Sequence, residues 1–414
     1  MASKKSSRRK FLKAGAAAAA VGAMQSAGAQ TALSQAQAQK TLKELVAYGE
    51  RSKFVTSVRV PVVERPSPDQ FGLIFHVLTP LQDHVGIITP SSLHFVGTHR
   101  GAIVPDIDPK GYKLMIHGMV DRPLEFSYDE LRRFPSVSRV HFIECLGNHA
   151  KPEHKTVQET HGLTSCSEWT GVLVSTLLKE CGVQKGASWI VAEGDEEVKG
   201  SGSIRLAKAM EDMMVVYGQN GEPLRPQQGF PVRLIVPGFE GMYNTKWLRR
   251  IKVVDRYYMT YNDYGHIQKE EEIAALTFQW GPKSVITFPS GGQQLNGPGT
   301  YQLSGLAWSG GGVVKKVEVS FDAGQTWKEA EIRSQVFPKA HTRFGMTWKW
   351  DGQECVIQSR CTDELGQVQP TRAQLAQHFH EPPDYYKTHG VQGTDNMIQP
   401  WRIASDGSVH NAIA

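Results

Sequence analysis

The chain has 414 residues, of which 40% are hydrophobic and 21% are charged, as in an ordinary soluble globular protein. This length exceeds one typical hydrophobic core, so two domains with appended segments are expected. The formal net charge is +5, but residues 1–29 hold six cations and no acid, which leaves 5 − 6 = −1 for the rest. A near-neutral remainder gives no electrostatic reason to expect nucleic acid or an anionic membrane as a partner.

Residues 1–29 have the features of an export signal. Ser7 to Lys13 read SRRKFLK, and an alanine-rich stretch then leads to the small residues Ala27 to Ala29. This pattern predicts a twin-arginine signal peptide, a route taken by proteins that fold, often around a cofactor, before export. No later stretch has the roughly 20 apolar residues that a membrane span needs. We therefore expect a periplasmic mature protein without a membrane span.

The cysteine pattern limits two kinds of chemistry. The chain holds 5 cysteines, and an odd number in an exported protein leaves at least one outside any disulfide. Cys355 and Cys361 would lie about 20 Å apart along an extended strand, too far for a disulfide. No Cys-x-x-Cys-His sequence occurs, so no c-type haem is expected on this chain.

The first hundred residues have few regular elements. Residues 30–55 are polar and alanine-rich, and we predict an N-terminal arm over 30–64 with a short helix around Leu42. Residues 65–109 are rich in proline, glycine and histidine and have poor periodicity, and within them Pro90 to His99 is predicted to form a loop framework rather than a regular element. Long loops in a compact domain are more often functional than not.

Residues 110–270 alternate short strands and short helices without a regular βαβ order, which predicts a mixed α+β domain. Ser127 is a candidate helix N-cap and Gly182 a candidate helix end. The predicted strands are 112–120, the run that ends at Cys145, 189–193, 213–217 and 229–238. The predicted helices are 127–134, 173–181 and 204–210.

The segment Arg139 to His149, RVHFIECLGNH, places a cysteine where a strand ends in a turn. Gly147 and Asn148 break the strand, so the thiol of Cys145 points into whatever the turn encloses. The alternative is an inert buried cysteine, since free cysteine mostly behaves as a small hydrophobe.

Arg233 interrupts the apolar run 229–238. Burying a lone guanidinium is costly, so this side chain needs an anionic partner, either an acid of the chain or a bound anion.

Beyond residue 276 the pattern changes to period-two strands at 301–305, 317–321, 346–350 and 355–360, separated by glycine and proline turns and without helical stretches. This pattern predicts an all-β immunoglobulin-like sandwich over 276–380. Residues 381–414 form a C-terminal extension, which we expect to cover a neighbouring surface.

Five further observations come from the segments 139–149, 169–172, 229–238, 246–248 and 308–327, taken in this order and at this spacing. Together they resemble the sulfite oxidase family of molybdenum enzymes. Within that family the resemblance is to the molybdenum subunits of sulfite/sulfane dehydrogenases of the bacterial Sox thiosulfate-oxidising system. The resemblance covers about residues 65–375. It implies a molybdopterin-binding catalytic domain over 65–270 followed by an immunoglobulin-like dimerisation domain.

The resemblance also implies the residues of the site. Cys145 would ligate molybdenum beside the two dithiolene sulfurs of molybdopterin, and a soft thiolate suits such a metal. Tyr264 falls at the family's active-site tyrosine, which can assist proton movement, although an ordinary packed tyrosine is the alternative. The partner of Arg233 would be the molybdopterin phosphate. The implied cofactor-binding residues are Phe95, Val96, Gly97, Thr98, His99, Asp195, Gln228, Arg233, Asn244, Thr245 and Lys246.

Three positions depart from the family. Gly97 stands where sulfite oxidases have a sulfite-binding arginine, although Arg100 follows three residues later. Gln228 replaces a histidine and His149 replaces an arginine. These changes remove cationic groups from the anion pocket, so a sulfane on a larger carrier fits better than free sulfite.

The resemblance implies oxidation of a sulfur substrate, either carrier-bound sulfane or sulfite, with electrons passed to a separate c-type cytochrome. The sandwich implies a homodimer or a heterotetramer with that cytochrome. One alternative is a periplasmic molybdopterin reductase of sulfoxides, whose relatives lack the sandwich. Another is a cofactor-free secreted binding protein, which the twin-arginine signal disfavours.

Overall fold

The computed structural model of the chain describes residues 49, 51–62, 65–66, 73–98, 104–195, 200–260, 278–378 and 395–413. The predicted signal peptide and the predicted helix around Leu42 lie outside these ranges, as do His99, Arg100 and Tyr264. Residues 58–414 cluster as one unit, and residues 1–57 cluster separately. None of the described helices is both long enough and apolar enough to span a membrane.

A small sheet lies between residues 60 and 98, where no strand was predicted. Its strands are β1 Val60–Pro61, β2 Arg65–Pro66, β3 Leu73–Leu78 and β4 Val96–Thr98. Their order is β1–β3–β2, and β4 pairs with β3. The prediction of a loop framework over 90–99 was therefore wrong at β4. The pairing of β3 with β4 is antiparallel and sets His76 opposite Gly97.

The next part of the chain forms two larger sheets with short helices. Its strands are β5 Lys113–Gly118, β6 Leu124–Ser127, β7 Val137–Glu144, β8 Thr164–Leu173, β9 Trp189–Glu193, β10 Ser201–Arg205, β11 Met214–Gln219, β12 Glu222–Pro223, β13 Arg233–Ile235 and β14 Arg250–Val254. Its helices are α1 Tyr128–Leu131, α2 Val157–His161, α3 Val174–Cys181 and α4 Leu206–Glu211. One sheet has the order β10–β9–β14–β5–β6, and the other has β12–β11–β8–β7 with β13 on β11. The prediction of an α+β domain is confirmed.

Local chemistry accounts for most of these boundaries. Ser127 and Glu130 form a capping box at the start of α1, and Gly182, at φ 71°, ends α3 in a backbone conformation that favours glycine. The predicted strand over 229–238 is limited to β13, because Gly229 and Gly238 have φ of 102° and 81° and turn the chain. The predicted helix from Ile204 begins only at Leu206, since β10 pairs with β9 up to that point.

The C-terminal part is a two-sheet sandwich, as predicted. Its elements are β15 Lys283–Phe288, β16 Gly299–Trp308, β17 Val314–Ser320, β18 Lys328–Glu329, β19 Glu331–Ile332, β20 Thr342–Trp350, β21 Cys355–Asp363, α5 Arg372–His378, β22 Pro400–Ile403 and β23 Val409–Asn411. The sheets are β15–β16–β20–β19 and β18–β17–β21–β22–β23. The expectation of no helix was wrong for α5. The described residues of the predicted C-terminal extension supply β22 and β23, so they belong to the sandwich itself.

The sandwich core continues into the α+β part. Four buried tryptophans dominate it: Trp280, Trp308, Trp350 and Trp401. Phe142 of β7 and Val157 of α2 belong to the same hydrophobic cluster. The strand that leads to Cys145 is therefore packed directly against the sandwich.

Candidate active site

Hydrogen bonds on both sides fix the backbone at Cys145. Its N–H donates to the Leu163 carbonyl at 3.0 Å, and its carbonyl accepts from the Asn148 N–H at 3.0 Å. The Asn148 side chain also accepts from the Leu163 N–H at 3.0 Å. The Cys145 side chain is partly buried, and its Sγ lies 3.8 Å from His76 Nε2. The turn therefore presents the thiol beside β3 with little freedom to move.

A buried ion pair lies behind this turn. Lys283 Nζ of β15 is 2.8 Å from Glu144 Oε1, and the other carboxylate oxygen of Glu144 accepts from Trp308 Nε1 at 2.7 Å. Asn148 Nδ2 donates to Glu144 at 2.8 Å, and Lys283 donates to the Asn148 carbonyl at 3.3 Å. Burial raises the pKa of Glu144, whereas these donors favour its carboxylate form. The sandwich thus holds the residues on either side of Cys145.

Arg233 is the second buried cation of the site, and it is only 3% exposed. Its Nη1 donates to the Gln228 carbonyl at 3.1 Å and to Gln228 Oε1 at 3.3 Å, and its Nη2 donates to the Asn244 carbonyl at 3.0 Å. The guanidinium carbon lies 5.1 Å from the centroid of the Trp169 ring.

These contacts leave the charge of Arg233 uncompensated. The Nε atom is buried without a hydrogen-bond partner, and no acid among the described residues forms an ion pair with this side chain. Burial lowers the pKa of Arg233 to about 9. Of the two partners that the sequence left open, a bound anion fits this environment and an acid of the described chain does not.

Lys246 adds a second cation near Arg233. We call the space bordered by Cys145, Arg233, Lys246 and segment 95–98 the pocket. Its Nζ donates to the Gly97 carbonyl at 2.9 Å and to the Gln227 carbonyl at 3.4 Å. The side chain is partly buried, and burial, with a smaller effect from Arg233, lowers the pKa of Lys246 to about 7. Adding a phosphate or another anion here would restore the charged form of the amine.

Gly229 allows these two cations to approach each other. Its φ is 102°, and a Cβ at this position would lie 3.0 Å from the Lys246 Cβ and 3.1 Å from the Arg233 Cβ. A larger residue would be strained in its backbone and crowded on both sides. The glycine therefore brings both cation-bearing backbones into one small space.

Segment 95–98 forms another wall of the pocket. The Phe95 N–H donates to Ser165 Oγ at 3.0 Å, and the Phe95 carbonyl accepts from Gln228 Nε2 at 2.9 Å. Val96 and Thr98 are buried within β4. Predicted residues from distant parts of the sequence are thus brought together here: Phe95 to Thr98, Cys145, Gln228, Arg233 and Lys246.

The remaining predicted residues have different surroundings. The side chain of Asn244 hydrogen-bonds backbone, accepting from the Val236 N–H at 2.8 Å and donating to the Glu240 carbonyl at 3.1 Å. The Oγ1 of Thr245 is buried without a hydrogen-bond partner among the described residues. Asp195 is partly buried. It follows Gly194, where a Cβ, if present, would lie 2.6 Å from the Lys246 carbonyl oxygen. The roles of these residues, and of His99 and Tyr264 outside the described ranges, stay predictions.

Sequence reasoning missed three residues of this pocket. His76 lies next to the thiol, and Arg59 donates to the His94 carbonyl at 3.1 Å and to Gln227 Oε1 at 3.2 Å. His94 is buried, and burial lowers its pKa to about 3, so its ring is neutral at physiological pH. Arg59, His76 and His94 lie in stretches without clear periodicity, so no local signal pointed to the site.

The arrangement can hold a soft metal through a thiolate and an anionic group through two cations. A family model described as an oxidoreductase molybdopterin binding domain matches residues 101–262. A second model, described as a Mo-co oxidoreductase dimerisation domain, matches residues 275–377.

The solved structure of the sulfane dehydrogenase SoxCD from Paracoccus pantotrophus is similar to this chain, with a TM-score of 0.75 and 34% identity. The match covers 90% of this chain and 97% of that chain.

Plant nitrate reductases are also similar in sequence. The NADH enzyme of Solanum lycopersicum is 36% identical over 344 residues, and an NADH enzyme of Arabidopsis thaliana is 37% identical over 308 residues. The matches cover 70% and 64% of this chain but only 37% and 33% of those proteins, so the chain spans about a third of their length.

Proposed function

Since this chain belongs to the sulfite oxidase family of molybdopterin-binding oxidoreductases, we propose that it oxidises a sulfur substrate at a molybdenum centre held by Cys145. The substrate is a sulfane sulfur on a larger carrier, in preference to free sulfite. Electrons pass to a separate c-type cytochrome, and the enzyme works in the periplasm within thiosulfate or sulfur oxidation. The similarity to a sulfane dehydrogenase over nearly the whole chain supports the choice of sulfur chemistry.

The residues present fit the cofactor. The single observation that carries the proposal is Arg233, a buried guanidinium whose Nε has no partner and which pairs with no described acid. Lys246, packed beside Arg233 at Gly229, connects it through Gly97 and His76 to the Cys145 thiol. A phosphate satisfies a guanidinium bidentately, and Lys246 supplies a second cation. When it is bound, the molybdenum cofactor supplies the two-electron oxidation chemistry.

The chain's own residues would bind and orient this group. Cys145 supplies the metal ligand, and Arg233 and Lys246 bind the phosphate. Gln228 hydrogen-bonds both the Phe95 carbonyl and Arg233, so it fixes the wall of the pocket to the anion site. The Glu144–Lys283 pair holds the metal-binding turn in place.

The described part of the pocket favours a substrate other than a small oxyanion. Gly97 has no side chain, Gln228 is uncharged, and the Nδ1 of His149 lies 3.7 Å from an oxygen of the Asp395 carboxyl group. Specific binding of sulfite would be expected to use paired cationic donors beside the metal. A sulfur atom at the end of a carrier needs fewer of them.

Two other reactions are tested beside sulfur oxidation. The similarity to plant nitrate reductases makes nitrate a substrate to assay. Sulfoxide reduction is less favoured, because residues 275–377 match the dimerisation domain that sulfoxide-reducing relatives lack.

The first test measures molybdenum per chain by mass spectrometry and compares the wild type with Cys145→Ser. We expect about one molybdenum per wild-type chain and reduction of ferricytochrome c by a persulfide. In Cys145→Ser we expect both the metal and the activity to be lost or severely reduced. Nitrate and sulfoxide are assayed with a reduced dye as electron donor.

A correctly folded, metal-free wild-type protein would exclude the molybdenum chemistry and leave the binding-protein alternative. Turnover of nitrate without turnover of sulfur substrates would overturn the choice of substrate. The periplasmic location is tested by replacing Arg8 and Arg9 with lysine, which should leave the protein in the cytoplasm.

A further inference from the structure

A side chain at position 97 would occupy the same space as the His76 ring. The two residues lie directly opposite each other in the antiparallel pair formed by β3 and β4. A Cβ at position 97 would lie 3.2 Å from His76 Cδ2 and 3.5 Å from its Nε2. The φ of Gly97 is outside the range that L residues avoid, so the backbone itself does not require glycine here. The histidine ring is what crowds a side chain at position 97, because the ring would have to shift by a few tenths of an ångström to admit a Cβ.

A second glycine borders the same ring on its other side. A Cβ at Gly147, in the turn after Cys145, would lie 3.5 Å from His76 Cε1 and 3.7 Å from Cys145 Sγ. The imidazole is 8% exposed, and its Nε2 lies 3.8 Å from the thiol sulfur. The His76 ring therefore fills the space between two glycines and borders the atom that would hold the metal.

We propose that His76 determines substrate specificity by occupying the position beside Cys145 that a long cationic side chain at residue 97 would otherwise take. The inference rests on the proposed function and names the substrate class of that site. It selects a terminal sulfur on a carrier, such as a persulfide, against a small sulfur oxyanion.

The chemistry of the two side chains supports this selection. A guanidinium presents several N–H groups in a planar fork that matches two oxygens of an oxyanion at once. An imidazole on a rigid strand presents at most one N–H to the pocket from Nε2. A site without the fork loses most of its affinity for an oxyanion but little of its affinity for a sulfur atom that carries no oxygen.

The test exchanges the two side chains. Gly97→Arg alone, His76→Gly alone and the double variant His76→Gly/Gly97→Arg are compared with the wild-type holoenzyme. Two readouts do not depend on turnover: the thermal unfolding midpoint and the molybdenum content per chain. The third readout is the ratio of kcat/KM for glutathione persulfide to that for sulfite, with ferricytochrome c as acceptor.

We expect Gly97→Arg alone to lower the unfolding midpoint by about 5 °C and to reduce molybdenum content, because its side chain meets the histidine ring. Removing the ring in the double variant should restore both. The double variant should also shift the kcat/KM ratio at least about tenfold toward sulfite. His117→Ala, which changes a histidine outside the pocket, should leave all three readouts unchanged.

If Gly97→Arg does not accumulate, Gly97→Ala gives the same packing comparison, because its Cβ alone meets the ring. Equal stability and metal content in Gly97→Arg and in the double variant would overturn the claim that the two side chains need the same space. An unchanged kcat/KM ratio in a fully loaded double variant would overturn the role in specificity. A loaded wild type that turns over neither sulfur compound would instead overturn the proposed function, and the packing comparison would still decide whether the two positions compete.

Discussion

Lys283 and Arg233 are both cations buried within the same compact unit, but only Lys283 has an acidic partner among the described residues. Lys283 and Glu144 have side chains that are 2% and 0% exposed and lie 2.8 Å apart. Arg233 is 3% exposed, and among the described residues it donates to Gln228 and the Asn244 carbonyl and to no acid. A buried charge with a partner can belong to the framework, whereas one without a partner indicates a ligand that the chain is shaped to receive.

The two cations also differ in what they connect. Lys283 lies on the first strand of the sandwich and reaches across to the residue before Cys145. Arg233 lies on β13 within the α+β part and contacts Gln228 and the Asn244 carbonyl. Lys283 therefore helps to position the Cys145 thiol, whereas Arg233 is the group proposed to bind the cofactor.

The largest effect is expected for Lys283→Met. This change leaves Glu144 buried without its cation, which should destabilise the protein by roughly 3–5 kcal/mol in urea denaturation. Lys113→Met is the matched control, because Lys113 and Glu125 lie at the same 2.8 Å but are 64% and 45% exposed. The control should leave the denaturation midpoint unchanged.

A second variant distinguishes a lost ion pair from a general packing defect. Lys283→Met/Glu144→Gln removes both charges and should recover part of the lost stability. If Lys283→Met proves no less stable than Lys113→Met, the buried pair does not stabilise the Cys145 turn.

A smaller effect, on cofactor binding, is expected for Arg233→Met. Losing charge-assisted bonds worth roughly 1.5–3 kcal/mol should weaken cofactor retention by about tenfold to a hundredfold. Molybdenum content after dialysis measures this loss. Protein produced without the cofactor should be destabilised less by Arg233→Met than by Lys283→Met, because no ion pair is broken. The reverse order would contradict the assignment of Arg233 as a ligand-binding group.

The smallest effect, counted per pH unit, is a pH dependence at Lys246 in protein produced without the cofactor. Its folded pKa is lowered to about 7, below the ordinary value, so between these values the unfolded chain binds more protons. Stability should therefore rise with pH from about 7 to 10, by at most about 1.4 kcal/mol per pH unit. Lys246→Met should flatten this rise in pH-dependent urea denaturation. An equal slope in both proteins would contradict the shift.

The sequence predicted features that depend on local chemistry. Ser127 indicated the start of α1, Gly182 indicated the end of α3, and the Gly147–Asn148 turn singled out Cys145. The period-two strands of the sandwich were visible for the same reason, since alternation is a property of neighbouring residues.

Features that depend on pairing between distant residues were missed. β4 has three residues and is held by β3, and neither strand has an alternating pattern that marks it. The proximity of His76 to Gly97 and Cys145 follows only from that pairing. Strands β22 and β23 were missed likewise, because β22 is placed by β21 rather than by its own periodicity.

The last described segment has a consequence for the order of biosynthesis. Asn411 Nδ2 donates to the carbonyls of Lys151 and His154 at 2.8 and 2.9 Å, and Asp395 lies 3.7 Å from His149. These contacts hold the stretch just after the Cys145 turn, but a ribosome adds residues 395–411 long after it has made that turn. The stretch just after the Cys145 turn therefore gains these contacts only once translation has passed residue 411. If the turn holds a cofactor as proposed, that cofactor meets the completed site only after translation.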